Sequence, residues 1–572
     1  MHAPDLSHAW LVSAFAAVLG FSAGCGDDDT ATLIDAAVDA TTDTSSTDAG
    51  PIDWPEMTVP DSLVLESGVR RDAFWVDGAT PPPNPDTGTE TPSDLNRSRV
   101  LRYRSDPPVA PRAVVVAMPG FLGGGPSFHG LAQALVVLGE ARGEPIEVWA
   151  VDRRSNGLED LRGLNTAEAA GNPEIAQGYY FGGETVGGER FAGFQSGESL
   201  DFVSEWGLAV HVEDLRQIVA QIPESARAGH VFLMGHSLGA SFAEAYASWR
   251  FPDGTRAVDE LAGIILIDGG LSSQAIGETE YREGTMGGLL STPGVDAIRA
   301  GSTVSELPLL GQAVFVRAEI MALRTLVTPE EVLLDGGRND VLGLLLETPS
   351  QFLPPMTNRA AFGFAFDEGS EPLAIASVSI GAPIGPTETF TSSLFGGTYV
   401  RPSDRMLTYR WTDAPDAEPP EVTPINTLAH AFADGVSNFA EWYFPARLSI
   451  DLAAVAGDSV PEGGYQEQAG LLALERPQMD APVLAIAAAL VGPTGYQGIA
   501  TRMAPAVGAG RRAAGATRTE SDGLTVVDAS TLSHIDPVIA PDGPLNEVPE
   551  TIETFLFTHV AETGTVDLSA LD

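Results

Sequence analysis

Short apolar runs alternate with helix-like stretches along much of the chain. The runs at 113–118, 146–151 and 263–267 are mostly apolar, as expected for strands buried on both faces of a sheet. Further strands are predicted at 231–234, 481–487 and 524–527, and helices at 211–222, 242–249 and 548–560. Strands that alternate with helices predict an α/β fold, a mostly parallel sheet flanked by helices.

This alternation stops for about two hundred residues before the strand pattern resumes at residue 481. Connections inside a compact domain are rarely so long, so the interruption predicts an inserted region. Leu-rich helical runs at 314–326 and 341–346, together with many aromatic residues, predict that this region is mainly helical. We place it at residues 271–479, before the penultimate strand.

The chain has 572 residues and a net charge of −47, from 78 acidic residues and 31 basic ones, all of them arginine. The absence of lysine excludes mechanisms that use a lysine Schiff base or a Ser-Lys pair. Strong acidity disfavours nucleic acid as a partner, because phosphates would be repelled. The single cysteine, Cys25, excludes an intrachain disulfide.

An apolar segment at residues 10–24 ends in small residues directly before Cys25. It is too short to span a bilayer comfortably and resembles a bacterial lipoprotein signal, in which the cysteine is lipidated. We therefore expect a signal peptide at 1–24 and a lipid-anchored, acidic, disordered tether at 25–60. The chain would then lie in the cell envelope, anchored to a bacterial membrane. The alternative is an ordinary secretory signal and a secreted protein.

The sequence Gly235-His236-Ser237-Leu238-Gly239 follows a predicted strand and precedes a predicted helix. This is the G-x-S-x-G pattern of a nucleophile elbow in its expected setting. A serine held on such a sharp turn adopts a strained backbone, so its neighbours must be very small. Ser237 is therefore a candidate nucleophile.

Together with the order of strands and helices, this elbow resembles the α/β-hydrolase fold superfamily, in particular its serine esterases and lipases. The resemblance covers about 112–270 and 480–561. It implies a core built from residues 61–270 and 480–572, with the inserted region 271–479 as a cap or lid.

The family carries its catalytic histidine in the loop after the last strand, which here contains His534. The resemblance thus implies that His534 takes the proton of Ser237. Many members carry the acid after the penultimate strand, but residues 481–519 contain no Asp or Glu. Some lipases of the family carry it one strand earlier, which implies Asp268. Asp528, Asp536 and Asp152 are the alternatives.

The resemblance also implies an oxyanion hole formed by the backbone N–H groups of Leu238 and Phe121. Phe121 lies in the glycine-rich loop that follows the strand 113–118. This loop lacks the lysine and the spacing of a phosphate-binding loop. The run Asp152-Arg153-Arg154 is expected to form a buried ion pair near the site, with binding of a substrate carboxylate as the alternative.

From these residues we expect an exported serine hydrolase that cleaves a small-molecule or lipid ester through an acyl-enzyme, without a metal or any other cofactor. An amidase, a thioesterase or an acyltransferase would use the same groups. A binding or scaffold protein without turnover is the alternative from another class.

Overall fold

The computed structural model describes residues 51–572, except 273, 286–290, 306–310, 334–339, 395, 418–419, 434, 457–459, 461–462, 476–478, 480 and 497–522. The signal segment, Cys25 and residues 25–50 of the expected tether therefore lie outside the described residues. Within the range expected for the tether, Asp53–Trp54 forms a short strand that pairs in parallel with Thr185–Val186. No helix in the described part of the chain is both long enough and apolar enough to cross a bilayer.

Among the described residues, nine strands form the central sheet. In chain order they are β1 (Ser62–Val64), β2 (Arg70–Asp77), β3 (Arg97–Arg104), β4 (Ala113–Met118), β5 (Ile146–Asp152), β6 (Val231–His236), β7 (Gly263–Ile267), β8 (Val483–Ala487) and β9 (Leu524–Asp528). Their order across the sheet is β1-β2-β3-β5-β4-β6-β7-β8-β9. The last six of these are mutually parallel, and β1 to β3 are antiparallel at one edge. The mostly parallel sheet is as expected.

The longer helices are α1 (His129–Arg142), α2 (Arg162–Ala170), α3 (Leu208–Val219), α4 (Leu238–Ala247), α5 (Ala313–Val327), α6 (Asn358–Phe366), α7 (Ile425–Phe432), α8 (Ala446–Val455) and α9 (Val548–His559). Short helices are Pro173–Gln177, Glu224–His230, Glu278–Glu283, Val295–Arg299, Asp340–Leu345, Tyr465–Gln468 and Asp536–Ile539. Outside the central sheet, short strands are Asp53–Trp54, Thr185–Val186, Glu189–Arg190, Gly284–Thr285, Thr292–Pro293, Val332–Leu333, Met356–Thr357, Ala382–Ile384, Thr387–Thr391, Thr398–Pro402 and Arg410–Thr412.

Both faces of the central strands β4 to β8 are buried, which explains their continuous apolar runs, whereas the edge strands β1 and β9 are largely exposed. In β4, Val115 and Ala117 pack into the same core cluster as residues of α1 and α9. The intervening residues Val114 and Val116 pack on the opposite face with residues of α3 and α4. Alternate side chains of a strand point to opposite faces, so a strand covered on both sides must be apolar at every position.

Residues 271–479 contribute α5 to α8 and several two-stranded ribbons, so their regular structure is mainly helical. A second excursion, which the sequence did not predict, leaves the core between β5 and α3 and includes α2. Its apolar residues, among them Leu164 and Trp206, share a buried cluster with Ile320 of α5 and with Trp442. The inserted region thus rests partly on this excursion.

Candidate active site

The register of the parallel strands brings several chain ends to one edge of the sheet. Met118 at the end of β4 is paired with Gly235 of β6, and His236 is paired with Ile267 at the end of β7. The residues that follow these strands, namely the glycine-rich loop, Ser237 and Asp268, therefore emerge side by side. Ligand sites of parallel sheets lie at this carboxyl edge.

Ser237 occupies the sharp turn between β6 and α4, with φ 57° and ψ −124°. Non-glycine residues rarely adopt a positive φ, and such strain is found mostly at functional sites. The flanking glycines permit this turn. A Cβ on Gly235 would lie 2.1 Å from the carbonyl oxygen of Gly239, and a Cβ on Gly239 would lie 2.1 Å from that of Met118.

Two further glycines pack against Ser237 from neighbouring loops. A Cβ on Gly269 would lie 1.9 Å from the carbonyl oxygen of Ser237, and one on Gly120 would lie 2.9 Å from its Cβ. The motif in the sequence identified Gly235 and Gly239 only. Gly269 becomes recognisable once β7 is known to lie beside β6.

His534 and Asp268 are in direct contact. The Nδ1 atom of His534 lies 2.7 Å from Oδ2 of Asp268, and both side chains are almost completely buried. Asp268 itself has a positive φ of 45°. Its carboxylate also accepts hydrogen bonds from the backbone N–H groups of Leu490, at 3.1 Å, and Val491, at 2.9 Å. These bonds fix the carboxylate that holds the imidazole.

The three alternative acids have other partners among the described residues. Asp528 is exposed and accepts a hydrogen bond from the Ser530 hydroxyl. Asp152 binds Arg99, and Asp536 accepts a hydrogen bond from the hydroxyl of Thr423. Burial raises the pKa of Asp536 to about 7. The structure thus records the contact with His534 for Asp268, the acid that the sequence analysis preferred.

His236, the residue before Ser237, contacts both the backbone and the ring of His534. Its Nε2 donates a hydrogen bond to the carbonyl oxygen of His534 at 2.9 Å, and the two rings lie 4.5 Å apart. Burial lowers the pKa of His236 to about 3, and the nearby His534 acts in the same direction. A neutral His236 can therefore serve as a fixed donor to the backbone of His534.

Arg153 is buried behind the glycine-rich loop and binds its carbonyl groups. Its guanidinium donates hydrogen bonds to the carbonyl oxygens of Pro119, Gly120 (2.9 Å) and Gly123 (3.1 Å). In a trans peptide the C=O and N–H groups point in opposite directions. With the Gly120 carbonyl turned to Arg153, the N–H group of Phe121 points to the other side of the loop.

The inserted region completes this support. Glu441 pairs with Arg153 at 2.7 Å, and its backbone N–H donates to the carbonyl of Leu122 at 2.8 Å. Burial raises the pKa of Glu441, and the charge of Arg153 opposes this shift. Arg154 forms a separate buried pair with Asp214. Each residue of the run Asp152-Arg153-Arg154 therefore forms an ion pair, and the expected buried pair beside the site is the one between Arg153 and Glu441.

Ser237 and His534 line one cavity of about 150 Å³. Phe121 and Leu122 of the glycine-rich loop form one wall, and residues of α5, α6 and α7 form much of the remainder. The lining is largely apolar, apart from Ser127, His236, Ser237, Glu371 and His534. Leu238 begins α4 directly after Ser237, so its N–H group belongs to the unpaired first turn of a helix.

The arrangement combines an elbow after a strand, a glycine-rich loop after the adjacent strand, and the chain order Ser237, Asp268, His534. This is the α/β-hydrolase fold. The α/β-hydrolase core contributes Ser237, Asp268 and His534, and the inserted region contributes much of the cavity wall. In the described part of the chain, His, Cys, Asp and Glu residues form no cluster that could hold a metal ion.

Solved structures with a distant likeness to this chain include a candidate lipase, an epoxide hydrolase and an esterase. A candidate lipase from Sulfolobus solfataricus is 12% identical, with 88% of this chain and 98% of that chain covered and a TM-score of 0.44. An epoxide hydrolase from Streptomyces is 14% identical, with 86% and 96% covered and a TM-score of 0.37. An esterase from Thermogutta terrifontis is 11% identical, with 86% and 100% covered and a TM-score of 0.34.

No protein-family model matches the sequence, and no curated protein matches it.

Proposed function

We propose that this protein is a serine hydrolase that cleaves a carboxylic ester through an acyl-enzyme on Ser237. The observation that supports it best is the 2.7 Å contact between His534 and Asp268 at the cavity that also contains Ser237. A serine hydroxyl needs an adjacent base to become nucleophilic, and that base needs a third group to orient it.

In the proposed reaction, His534 takes the proton of Ser237 through Nε2 while the serine oxygen bonds to the ester carbonyl carbon. Asp268 holds the Nδ1–H group of His534 and stabilises the imidazolium that forms. His534 then returns the proton to the departing alcohol. Water attacks the acyl-enzyme in the same way and releases the acid and free Ser237. Every step uses groups of the protein, the substrate and water.

The oxyanion that forms on the carbonyl would be bound by the N–H groups of Leu238 and Phe121. Such donors stabilise the transition state most when they are oriented before the substrate arrives. The contacts of Arg153 with the Pro119, Gly120 and Gly123 carbonyls support this orientation at Phe121.

A fluorophosphonate probe tests the proposal. It should label the purified protein covalently, and the Ser237→Ala variant should remain unlabelled while melting at a similar temperature. An unlabelled but folded native protein would instead support the binding or scaffold alternative. Rates on matched p-nitrophenyl esters, p-nitroanilides and thioesters then separate an esterase from an amidase or thioesterase, and product analysis with an added alcohol detects acyl transfer.

We also propose that the protein is exported and anchored through a lipid on Cys25. The apolar segment and the small residues before Cys25 support this proposal. Radiolabelled palmitate should be incorporated in a bacterial host and lost in Cys25→Ala. If the native protein is exported without incorporating the label, and Cys25→Ala is exported equally well, the segment is an ordinary secretory signal.

A further inference from the structure

Among the described residues that line the cavity containing Ser237 and His534, Glu371 is the one acidic residue. Its neighbours in that lining include Leu373, Ile375, Ala376 and Val378, which are apolar. The side chain is only 2% exposed. A carboxyl group in such surroundings is costly unless it is paired, so its presence needs a reason.

Within the described residues, a single hydrogen bond to this carboxyl is recorded, in which the Leu373 N–H donates to Oε1 at 2.6 Å. Burial raises the pKa of Glu371 well above its ordinary value, and the bond from Leu373 acts against this shift. A protonated carboxyl can accept at one oxygen and donate from the other. Glu371 therefore has an O–H donor to offer beside the largely apolar part of the lining.

The cavity itself suits the acyl part of an ester. After the acyl-enzyme forms, the alcohol must leave and water must enter, whereas the acyl group stays bound to Ser237. A pocket lined by buried side chains is better matched to the group that stays. A cavity of this volume is known to accept a molecule the size of benzene, which corresponds to an acyl group of about six carbon atoms.

We propose that Glu371 donates a hydrogen bond to an oxygen substituent on the acyl chain, so that the preferred substrates are esters of oxo- or hydroxy-acids of medium length. The proposal rests on the proposed ester hydrolysis at Ser237. A neutral oxygen is favoured over a charged group, because moving a charge from water into this largely apolar cavity would cost free energy. A site built to donate a hydrogen bond discriminates against analogues that lack the acceptor.

The test compares p-nitrophenyl 4-oxo- and 5-oxohexanoate with the 4-methyl and 5-methyl esters, in which a methyl branch replaces the carbonyl oxygen. For the native protein, kcat/KM should be about tenfold higher for at least one oxo ester than for its methyl counterpart. Glu371→Leu should reverse this ratio and still hydrolyse the methyl ester. Glu371→Gln should keep much of the preference, because its amide N–H can donate.

Equal rates on the paired esters in the native protein, or an unchanged ratio in Glu371→Leu, would overturn the proposal. Fastest cleavage of p-nitrophenyl 6-aminohexanoate would also overturn it, since Glu371 would then bind a cation. If Glu371→Leu does not fold, the ratio of kcat/KM between the oxo and methyl esters, measured in the native protein and in Glu371→Gln, still tests the proposal. Failure to cleave any ester, with no fluorophosphonate label on Ser237, would contradict the proposed function and not this inference alone.

Discussion

At the scale of single residues, backbone strain is concentrated where the chemistry is proposed. Ser237 and Asp268 both have positive φ, of 57° and 45°, and each directly follows one of two neighbouring strands. Such conformations cost about 1–3 kcal/mol each and persist only when the surroundings enforce them. The backbone bonds to the Asp268 carboxylate and the glycines around Ser237 are these surroundings.

Replacement of Asp268 tests whether its carboxylate orients His534 during turnover or is only a buried structural group. Asp268→Asn should lower kcat about 10⁴-fold, because an amide can stabilise the wrong tautomer of His534 and cannot balance its charge. Asp528→Asn, at an exposed acid whose recorded bonds are to Ser530, should leave kcat within twofold. Steady-state kinetics on one activated ester measures both. The assignment of Asp268 fails if the two variants are equally active.

Arg153 should act on turnover through the loop that it holds. Arg153→Lys provides a charge but cannot reach every acceptor of the planar guanidinium, so the Phe121 peptide loses its fixed orientation. We expect kcat to fall about 10²-fold, the effect of losing one oxyanion donor, with little change in KM. Arg154→Lys is the matched control, since Arg154 pairs with Asp214 and binds none of the loop carbonyls recorded for Arg153. If Arg153→Lys lowers the melting temperature and leaves kcat unchanged, Arg153 has only a structural role.

At the scale of elements, the elbow is a contact between three chain segments, and glycines set their separation. Gly269 follows Asp268 and touches the Ser237 peptide, while Gly120 approaches from the glycine-rich loop. The close packing fixes Ser237 relative to both Asp268 and Phe121. A shift of one segment is therefore transmitted to the reacting groups.

Gly269→Ala should displace the Ser237 peptide, because the new Cβ would lie 1.9 Å from its carbonyl oxygen. A displacement of about 1 Å can cost roughly 10²-fold in rate, and we expect a loss of this order in kcat. Gly311→Ala, where a Cβ would meet nothing within 4 Å, should leave the rate unchanged. Fluorophosphonate labelling rates report the same effect independently of the substrate. Full activity in Gly269→Ala would show that the turn can relax.

At the scale of the whole molecule, much of the site follows from local patterns. Each proposed site residue follows a strand whose apolar run is visible in the sequence. This applies to Phe121, Ser237, Asp268 and His534. The strand 113–118 and the strand 263–267 were predicted with their observed bounds. These features are predictable because each depends on neighbours in sequence and on one edge of one sheet.

Other features depend on partners that are far apart along the chain. Arg153 and Glu441 are separated by 288 residues, and the sequence around either residue does not predict that the two form a pair. Glu371 is one acid among many in an acidic chain, and only the cavity distinguishes it. The excursion that contains α2 was not predicted, because it packs against α5, which lies far away along the chain.

Global stability should depend on pH through a carboxyl pair between α2 and α5. Glu168 and Glu319 share a hydrogen bond, and burial, followed by the charge of Glu168, raises the pKa of Glu319 well above its ordinary value. A carboxyl with a raised folded pKa contributes stability below about pH 4.5 that is lost as pH rises through the folded pKa. For one proton the slope is about 1.4 kcal/mol per pH unit.

Glu319→Gln should reduce the loss of stability between pH 5 and pH 7.5, because the amide donates the shared hydrogen bond without titrating. Urea unfolding at the two pH values measures the difference. Glu140→Gln, at an exposed position on α1, controls for the change in net charge. An identical pH dependence in the native protein and in Glu319→Gln would show that the pair does not titrate in this range.

The support that Glu441 gives to the glycine-rich loop limits how this protein could be redesigned. Because a residue of the inserted region braces the loop at Phe121, that region cannot be deleted as if it were a detachable lid. A truncated core would keep Ser237, Asp268 and His534 and still lose the brace. Grafts that aim at new specificity should exchange the wall from α5 to α7 and retain the stretch that carries Glu441.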